Sequence, residues 1–116
     1  MKDITIWHNP RCSKSRQALA LLDENGCEKE IIKYLEFPPS KSEIKKVLDM
    51  LGISARELMR TKEDIYKELN LKNENNEEKL IEAMANNPKL IERPVIIKGN
   101  KAIIARPPEM ALELLS

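Results

Sequence analysis

The first third of the chain alternates between strand and helix patterns, and their order constrains how its two strands can pair. Residues 3–7, DITIW, have the period-two alternation of a strand. A helical face follows over about residues 13–25 and ends at Asn25-Gly26, a favourable C-terminal cap. Residues 30–35, EIIKYL, return to a strand pattern. A strand, a helix and a second strand in this order predict a βαβ unit with parallel strands.

The middle of the chain, about residues 40–88, is predicted to be a helical insert. Ser40 with Glu43 fits a capping box, and Ser54 with Glu57 fits a second one. Asn76 can cap a further helix after the polar run NENNEE. These signals predict several short helices in succession.

The last third returns to strands. PVIIK and KAIIA flank Gly99-Asn100, which is a two-residue hairpin signal. Pro107 and Pro108 then stand where prolines begin a helix, ahead of EMALELL. The predicted order is βαβ, a helical insert and ββα, and without a linker-like stretch residues 1–116 are predicted to form a single domain.

Composition excludes several classes of protein. Twenty Lys and Arg balance nineteen Asp and Glu, which argues against nucleic acid as a partner. No apolar run approaches the roughly 20 residues that span a membrane, and the start of the chain does not resemble a secretion signal. The two cysteines are therefore expected to be reduced thiols in the cytoplasm. No metal is expected, because the spacing is wrong and there is one histidine.

Cys12 stands where the first strand gives way to the first helix, in the polar sequence HNPRCSKS. Amide groups and the helix dipole stabilise negative charge there, so the pKa of this thiol should lie below that of a free cysteine. Arg11, Lys14 and Arg16 are near in sequence and could lower it further. An inert buried cysteine is the alternative, but the polar loop favours a reactive thiol.

The pattern Cys12-x-x-Ser15 has a hydroxyl where a two-thiol redox site has its second cysteine. Ser15 cannot resolve a mixed disulfide, although its hydroxyl can donate to a thiolate or an oxyanion. Cys27 is separated from Cys12 by a predicted helix about 18 Å long, whereas a disulfide needs Cα atoms within about 7 Å. We therefore expect Cys27 to be structural or incidental and the resolving thiol to come from another molecule.

One histidine and three arginines are further candidates. His8 is either an electrostatic neighbour of the thiolate or a solvent-facing loop residue. Arg60 ends ARELMR, Arg93 precedes Pro94 at the start of a strand, and Arg106 precedes two prolines. Arginine is suited to planar capture of an oxyanion. Taken singly, however, an arginine is typically a solvated surface charge.

Four blocks of the chain occur together in one known family. HNPRCSKSR, ARELMRTKEDIYKELNL, NNPKLIERPVII and ARPPE stand in the same order and spacing as in the glutaredoxin-coupled arsenate reductases. The chain resembles that family over essentially its whole length. The resemblance implies an α/β fold with a thioredoxin/glutaredoxin-like core, in which a mixed four-stranded sheet (βαβ…ββα) carries the helical insert.

The resemblance also implies an activity and roles for residues. Cys12 would attack arsenate, and Arg60, Arg93 and Arg106 would hold the oxyanion. Arsenate would be reduced to arsenite with glutathione and glutaredoxin as reductants and without a bound cofactor. The supporting residues would be His8, which favours the thiolate, Ser15, and Pro94, which follows a cis bond.

The loop departs from the family pattern NPACGTS, because Arg11, Ser13 and Lys14 make it bulkier and more cationic. Two alternatives therefore remain open. One is a glutathione-linked thiol oxidoreductase acting on another substrate, in which Arg11 and Lys14 hold the carboxylates of glutathione. The other is a thiol-sensing module that binds the transcription machinery. Thioredoxin-like regulators of RNA polymerase often carry Cys-x-x-Cys at this loop, so Ser15 counts against it.

Overall fold

The computed structural model describes residues 4–115. The chain divides into two compact units, one formed by residues up to Phe37 together with those from Arg93 onward, and the other by Pro38–Glu92. The second unit is the helical insert, and it extends a few residues beyond the predicted bounds of 40–88 at both ends. That the two units form a single domain stays a prediction.

The first unit contains the mixed four-stranded sheet that the sequence predicts. Its elements are β1 (Ile4–Trp7), α1 (Ser13–Glu24), β2 (Lys29–Ile32), β3 (Val95–Lys98), β4 (Lys101–Ile104) and a 3-10 helix (Pro108–Leu115). The strand order is β2-β1-β3-β4. β1 and β2 are parallel, as the βαβ pattern requires, whereas β3 is antiparallel to both β1 and β4.

Strand register determines which chain segments meet at each end of the sheet. Trp7 at the end of β1 is paired with Val95 at the start of β3, and Val95 is paired with Ile104 at the end of β4. The residues just after β1, just before β3 and just after β4 are therefore neighbours. These segments carry Cys12, Arg93 and Arg106, respectively. The turn between β3 and β4 lies at the opposite end and contains Gly99, whose φ of 60° suits a two-residue hairpin turn.

A compact apolar cluster holds α1 and the C-terminal 3-10 helix against the sheet. Burial of these side chains is the main favourable contribution to the stability of such a unit. Its buried members are Ile4, Ile6, Ala18, Leu22, Ile96, Ala105 and Ala111. Cys27 is partly buried against this cluster, which agrees with the structural role expected for it.

The C-terminal segment differs from its prediction in helix type. EMALELL was predicted to continue as an α-helix, but Pro108–Leu115 is a 3-10 helix. Met110 N–H donates to the carbonyl oxygen of Pro107 at 3.0 Å, which is the three-residue spacing of a 3-10 helix. Pro107 and Pro108 have no N–H to donate, so they begin the segment without contributing to the α-helical ladder.

The second unit consists of short helices whose starts agree with the predicted caps. They are α2 (Lys41–Leu51), α3 (Ala55–Leu58), α4 (Asp64–Glu68) and α5 (Glu77–Asn86), with 3-10 turns at Leu71–Asn73 and Pro88–Leu90. Ser40 and Glu43 form a complete capping box at α2. The side chains of Ser54 and Asn76 accept N–H groups at the starts of α3 and α5. α5 packs against α2 and α3.

Within residues 4–115, no helix has the length and apolar character needed to cross a membrane.

Candidate active site

Asn9 organises the loop that presents Cys12. Its carbonyl oxygen accepts the N–H of Cys12 at 3.0 Å, and its side-chain Oδ1 accepts the N–H of Arg11 at 3.0 Å. Its own N–H donates to Ser15 Oγ at 3.0 Å. Sequence reasoning did not single out Asn9, although asparagine before proline is a common signal for such side-chain-stabilised turns.

His8 and Ser15 form a buried pair beneath this loop. His8 Nδ1 lies 2.7 Å from Ser15 Oγ, and Ser15 is fully buried. His8 is 5% exposed, so the solvent-facing alternative for it is wrong. Burial and the positive charges of Lys33 and Arg16 lower the pKa of His8, which favours a neutral ring at pH 7.

The Ser15 hydroxyl therefore forms its contacts with residues at the start of the loop. Its oxygen accepts the Asn9 N–H and contacts His8 Nδ1. The Ser15 contribution to Cys12 comes from the backbone, because the Ser15 N–H lowers the pKa of the Cys12 thiol. The suggestion that the hydroxyl donates to a thiolate or an oxyanion stays a prediction.

Cys12 is the N-cap residue of α1 and is 9% exposed. Burial alone would raise the pKa of its thiol, but the backbone N–H of Ser15, the charge of Arg93, the N–H of Lys14 and a hydrogen bond from the Arg93 side chain outweigh it. The net result is a lowered pKa. Lys14 and Ser15 are the second and third residues of α1. Their N–H groups have no carbonyl partner within the helix, so they can donate to the Cys12 sulfur.

The lowered pKa of Cys12 was predicted, but part of its predicted cause is wrong. The amide groups at the helix start contribute as expected. The side-chain charge that acts on the thiol, however, belongs to Arg93, which is 81 residues away in sequence, and not to Arg11, Lys14 or Arg16. The pairing of β1 with β3 explains this, because it places the start of β3 beside the segment that follows β1.

Arg93 has two side-chain donors that are unusual because they are buried without a hydrogen-bond partner. Its Nε and Nη1 atoms are buried, and among the described residues they have no hydrogen-bond partner. A buried donor without a partner typically costs about 1–3 kcal/mol, and more when the group is charged. Beside a cysteine with a lowered pKa, such charged donors are suited to the oxygens of an anion, which would accept their N–H groups.

Arg106 and Pro94 lie at the same end of the sheet. Arg106 Nη1 lies 3.5 Å from the carbonyl oxygen of Arg93, at the limit of a hydrogen bond. The Arg93–Pro94 bond is cis, as the resemblance implies, and the Arg106–Pro107 bond is cis as well. Within the first unit the structure thus places the Arg93 side chain beside Cys12 and the exposed Arg106 side chain beside the backbone of Arg93.

Arg60 belongs to the second unit, where carboxylates surround it. Its Nη1 lies 3.3 Å from Glu63 Oε1 and its Nε lies 3.8 Å from Glu92 Oε1. The Arg60 N–H donates to the carbonyl oxygen of Leu90 at 2.7 Å, which fixes the backbone at this position. A role for Arg60 in holding an oxyanion stays a prediction.

The other arginine of the same block has a structural role that the sequence did not reveal. Arg56 donates to the carbonyl oxygens of Leu71 and Glu74 and to the hydroxyl of Tyr66. It therefore ties α3 to the segment that precedes α5. This contrast shows that the sequence block ARELMR mixes a fold-stabilising arginine with a candidate site arginine.

No group of three or more His, Cys, Asp or Glu side chains within residues 4–115 is arranged to hold a metal ion. Both cysteines are free thiols. The potential reactivity of the first unit therefore centres on the Cys12 thiol and the guanidinium beside it.

We expect the alkylation rate of Cys12 to reach half its maximum at a lower pH than that of an unperturbed cysteine in a short peptide. The reason is that the N–H groups of Ser15 and Lys14 and the charge of Arg93 favour the thiolate. Iodoacetamide labelling, quantified separately for Cys12 and Cys27 by mass spectrometry, measures this. A Cys12 profile that matches the peptide, or faster labelling of Cys27 at neutral pH, would contradict it.

Comparison with known proteins identifies the family to which the chain belongs. The family model described as "ArsC family" matches residues 7–114. The protein YfgD of Escherichia coli K12 is 55% identical over 116 residues, which is 98% of each chain. An arsenate reductase of Neisseria meningitidis serogroup A is 50% identical over 111 residues, covering 94% of this chain and 95% of that protein.

The solved structure of an arsenate reductase from Vibrio cholerae superposes with a TM-score of 0.92 at 48% identity and covers 95% of each chain. Family model, sequence relatives and structure thus agree over nearly the full length, and the residues that the family model matches include the Cys12 loop, Arg93 and Arg106. The chain belongs to the ArsC family.

Proposed function

We propose that this protein is an arsenate reductase in which the Cys12 thiolate attacks arsenate held by Arg93. The observation that carries the proposal is the pair of buried, unpartnered Arg93 nitrogens beside a thiol with a lowered pKa. A thiolate supplies the nucleophile, and the idle N–H groups supply donors for an anion. Relatives named arsenate reductase at 46–50% identity support the choice of substrate.

The first step forms a covalent adduct. The Cys12 sulfur bonds to arsenic, one arsenic–oxygen bond breaks, and the departing oxygen takes up protons and leaves as water. Charge accumulates on the arsenate oxygens and on the leaving oxygen in this step. Fixed donors aimed at that charge stabilise the transition state without reorganising, and Arg93 provides them at Nε and Nη1. Arg106 is proposed to add a further positive charge to the oxyanion site.

A second thiol is needed because Cys27 lies beyond α1. We propose that the glutathione thiolate attacks the Cys12 sulfur. A sulfur–sulfur bond then forms, and the electron pair of the sulfur–arsenic bond stays with arsenic, which leaves as arsenite, reduced from As(V) to As(III). A glutaredoxin thiolate takes the glutathione from the mixed disulfide and releases the Cys12 thiolate. The cytoplasm is the proposed compartment, because thiols are kept reduced there.

His8 and Ser15 are proposed to position the loop in this reaction. Their buried contact and the Asn9 N–H fix the loop from below. A neutral His8 adds no positive charge beneath the loop. It is proposed to act through its contact with Ser15, which keeps in place the backbone N–H groups that face the Cys12 sulfur. Pro94 is proposed to support Arg93 by fixing the backbone where β3 begins.

The test is steady-state turnover with arsenate, glutathione, glutaredoxin, glutathione reductase and NADPH. We expect NADPH oxidation that requires arsenate, both thiol reductants and this protein. Arsenate-independent oxidation of NADPH with a disulfide substrate, in a reaction that omits glutaredoxin and requires this protein, would favour the thiol oxidoreductase on another substrate. No turnover with either substrate, despite a reactive Cys12, would favour the thiol-sensing alternative.

A further inference from the structure

Three exposed cations surround the Cys12 loop, and we call them the cationic rim: Arg11, Lys14 and Arg16. Among the residues that the structure describes, none of the three forms a salt bridge with a carboxylate. Arg16 Nη1 donates to the carbonyl oxygen of Pro10 at 3.1 Å, which holds its guanidinium over the loop. The rim is therefore a patch of exposed positive charge on the segment that carries Cys12, without a carboxylate partner among the described residues.

The rim does not contribute to helix stability. Lys14 and Arg16 stand near the start of α1, where the helix dipole is positive, and the first turn contains no acidic residue. Cations at this end are unfavourable, typically by about 0.3–1 kcal/mol each. Cations that lower helix stability and have no carboxylate partner among the described residues are suited to a ligand of the opposite charge.

The rim also does not serve the thiolate itself. The side-chain charges of Arg11 and Lys14 are not among the groups that lower the pKa of Cys12, and Arg16 acts on His8 instead. The oxyanion donors of Arg93 are a separate feature, since they are buried whereas the rim is exposed. A ligand of the rim would therefore approach from solvent. Its negative charges would contact the rim, while the atom that reacts with Cys12 would lie some distance from those charges.

We propose that the cationic rim binds the carboxylates of the incoming thiol, so that the protein selects an anionic, peptide-sized thiol as its reductant. The inference rests on the proposed function, because it assigns the recognition of the thiol that attacks the Cys12 sulfur. In a tripeptide thiol such as glutathione, several bonds separate each carboxylate from the sulfur. That spacing lets the sulfur reach Cys12 while the carboxylates contact side chains at the loop surface.

The test measures thiol attack on Cys12 without arsenate, which keeps it independent of the choice of substrate. In a Cys27→Ser background, Cys12 is converted to its mixed disulfide with thionitrobenzoate. A thiolate then attacks the Cys12 sulfur, a new disulfide forms, and the aryl thiolate leaves and is read by absorbance. The attacking thiols are glutathione, its monoethyl ester and its diethyl ester, with net charges of −1, 0 and +1, and rates are divided by the thiolate fraction of each.

For the unmodified rim we expect each esterification to lower the rate about 1.5- to 5-fold, the range of exposed charge pairs. The preference should be largest at about 0.01 M salt and nearly absent at 1 M, where the Debye length falls to about 3 Å. The triple variant Arg11→Gln, Lys14→Gln, Arg16→Gln should react with all three thiols at similar rates. Lys101→Gln is the matched control, because Lys101 is exposed and lies at the opposite end of the sheet.

Equal rates for the three thiols with the unmodified rim would overturn the proposal, and so would a charge preference that survives in the triple variant. If circular dichroism shows that the triple variant does not fold, the single variants Arg11→Gln and Lys14→Gln provide the test instead. Each should then lose about 1.5- to 5-fold of the glutathione rate but not of the diester rate. Loss of both rates together would mean a damaged loop and would also overturn the proposal.

Discussion

Replacing Cys12 by serine should reduce arsenate-dependent turnover to the uncatalysed background, while Cys27→Ser should retain most of the activity. A serine hydroxyl at this position remains protonated at pH 7, so it is a poor nucleophile. Its oxygen also cannot form the mixed disulfide with glutathione that completes the reaction. The N–H groups of Ser15 and Lys14 and the charge of Arg93 stabilise a thiolate at Cys12. Without that sulfur they have no nucleophile to act on.

Cys27→Ser is the matched control for this loss, because it removes the other thiol. α1 has twelve residues between the two cysteines, and at 1.5 Å per residue it separates them by about 18 Å. Coupled NADPH oxidation gives the rates, and a single-turnover experiment gives the amount of arsenite released. A Cys27→Ser protein that releases one arsenite and then stalls would show that Cys27 resolves the intermediate.

The second large effect is expected at Arg93, where alanine and lysine substitutions should separate two roles of the side chain. Arg93→Ala removes two buried donors and the charge that lowers the pKa of Cys12. Each hydrogen bond to a charged group is worth about 1.5–3 kcal/mol, which is about 10- to 150-fold in rate. We therefore expect kcat/KM for arsenate to fall at least about 100-fold.

Arg93→Lys keeps a positive charge but loses the planar pair of donors. The alkylation profile of Cys12 should then stay close to that of the wild type, while kcat/KM for arsenate still falls about 10-fold or more. In Arg93→Ala the alkylation profile should move to higher pH as well. Lys101→Ala, at the far end of the sheet, is the control for a charge lost elsewhere. Unchanged arsenate kinetics in Arg93→Lys would show that the two donors do not bind the oxyanion.

Local patterns explain why much of the first unit could be predicted from the sequence. The βαβ order follows from hydrophobic periodicity, and the hairpin follows from Gly99-Asn100. The caps at Ser40 and Asn76 depend on residues three positions apart. Each of these features is determined by neighbours in sequence, so one sequence is sufficient to predict it. Pro108–Leu115 is a 3-10 helix instead of the predicted α-helix, because prolines at a helix start are compatible with both types and do not specify the hydrogen-bond spacing that follows.

The candidate site was less predictable, because it depends on pairing between distant segments. Arg11 and Lys14 are the obvious partners of Cys12 in sequence, yet the charge that acts on the thiol comes from Arg93. Strand register, which periodicity does not specify, creates that contact. Arg93 was one of three candidate arginines in the sequence, and only the resemblance to a family favoured a site role for it over a solvated surface charge. The buried contact between His8 and Ser15 was hidden for the same reason, since either residue alone is compatible with a solvent-facing loop.

Arsenic K-edge X-ray absorption tests the central claim most directly, because it detects the bond that Cys12 is proposed to form. Protein is mixed with arsenate in the absence of glutathione, frozen and examined for a sulfur neighbour of arsenic. The account predicts an arsenic–sulfur scattering path in the wild type and in Cys27→Ser, and its absence in Cys12→Ser. An arsenic coordinated by oxygen alone in the wild type, or a sulfur neighbour that persists in Cys12→Ser, would contradict it.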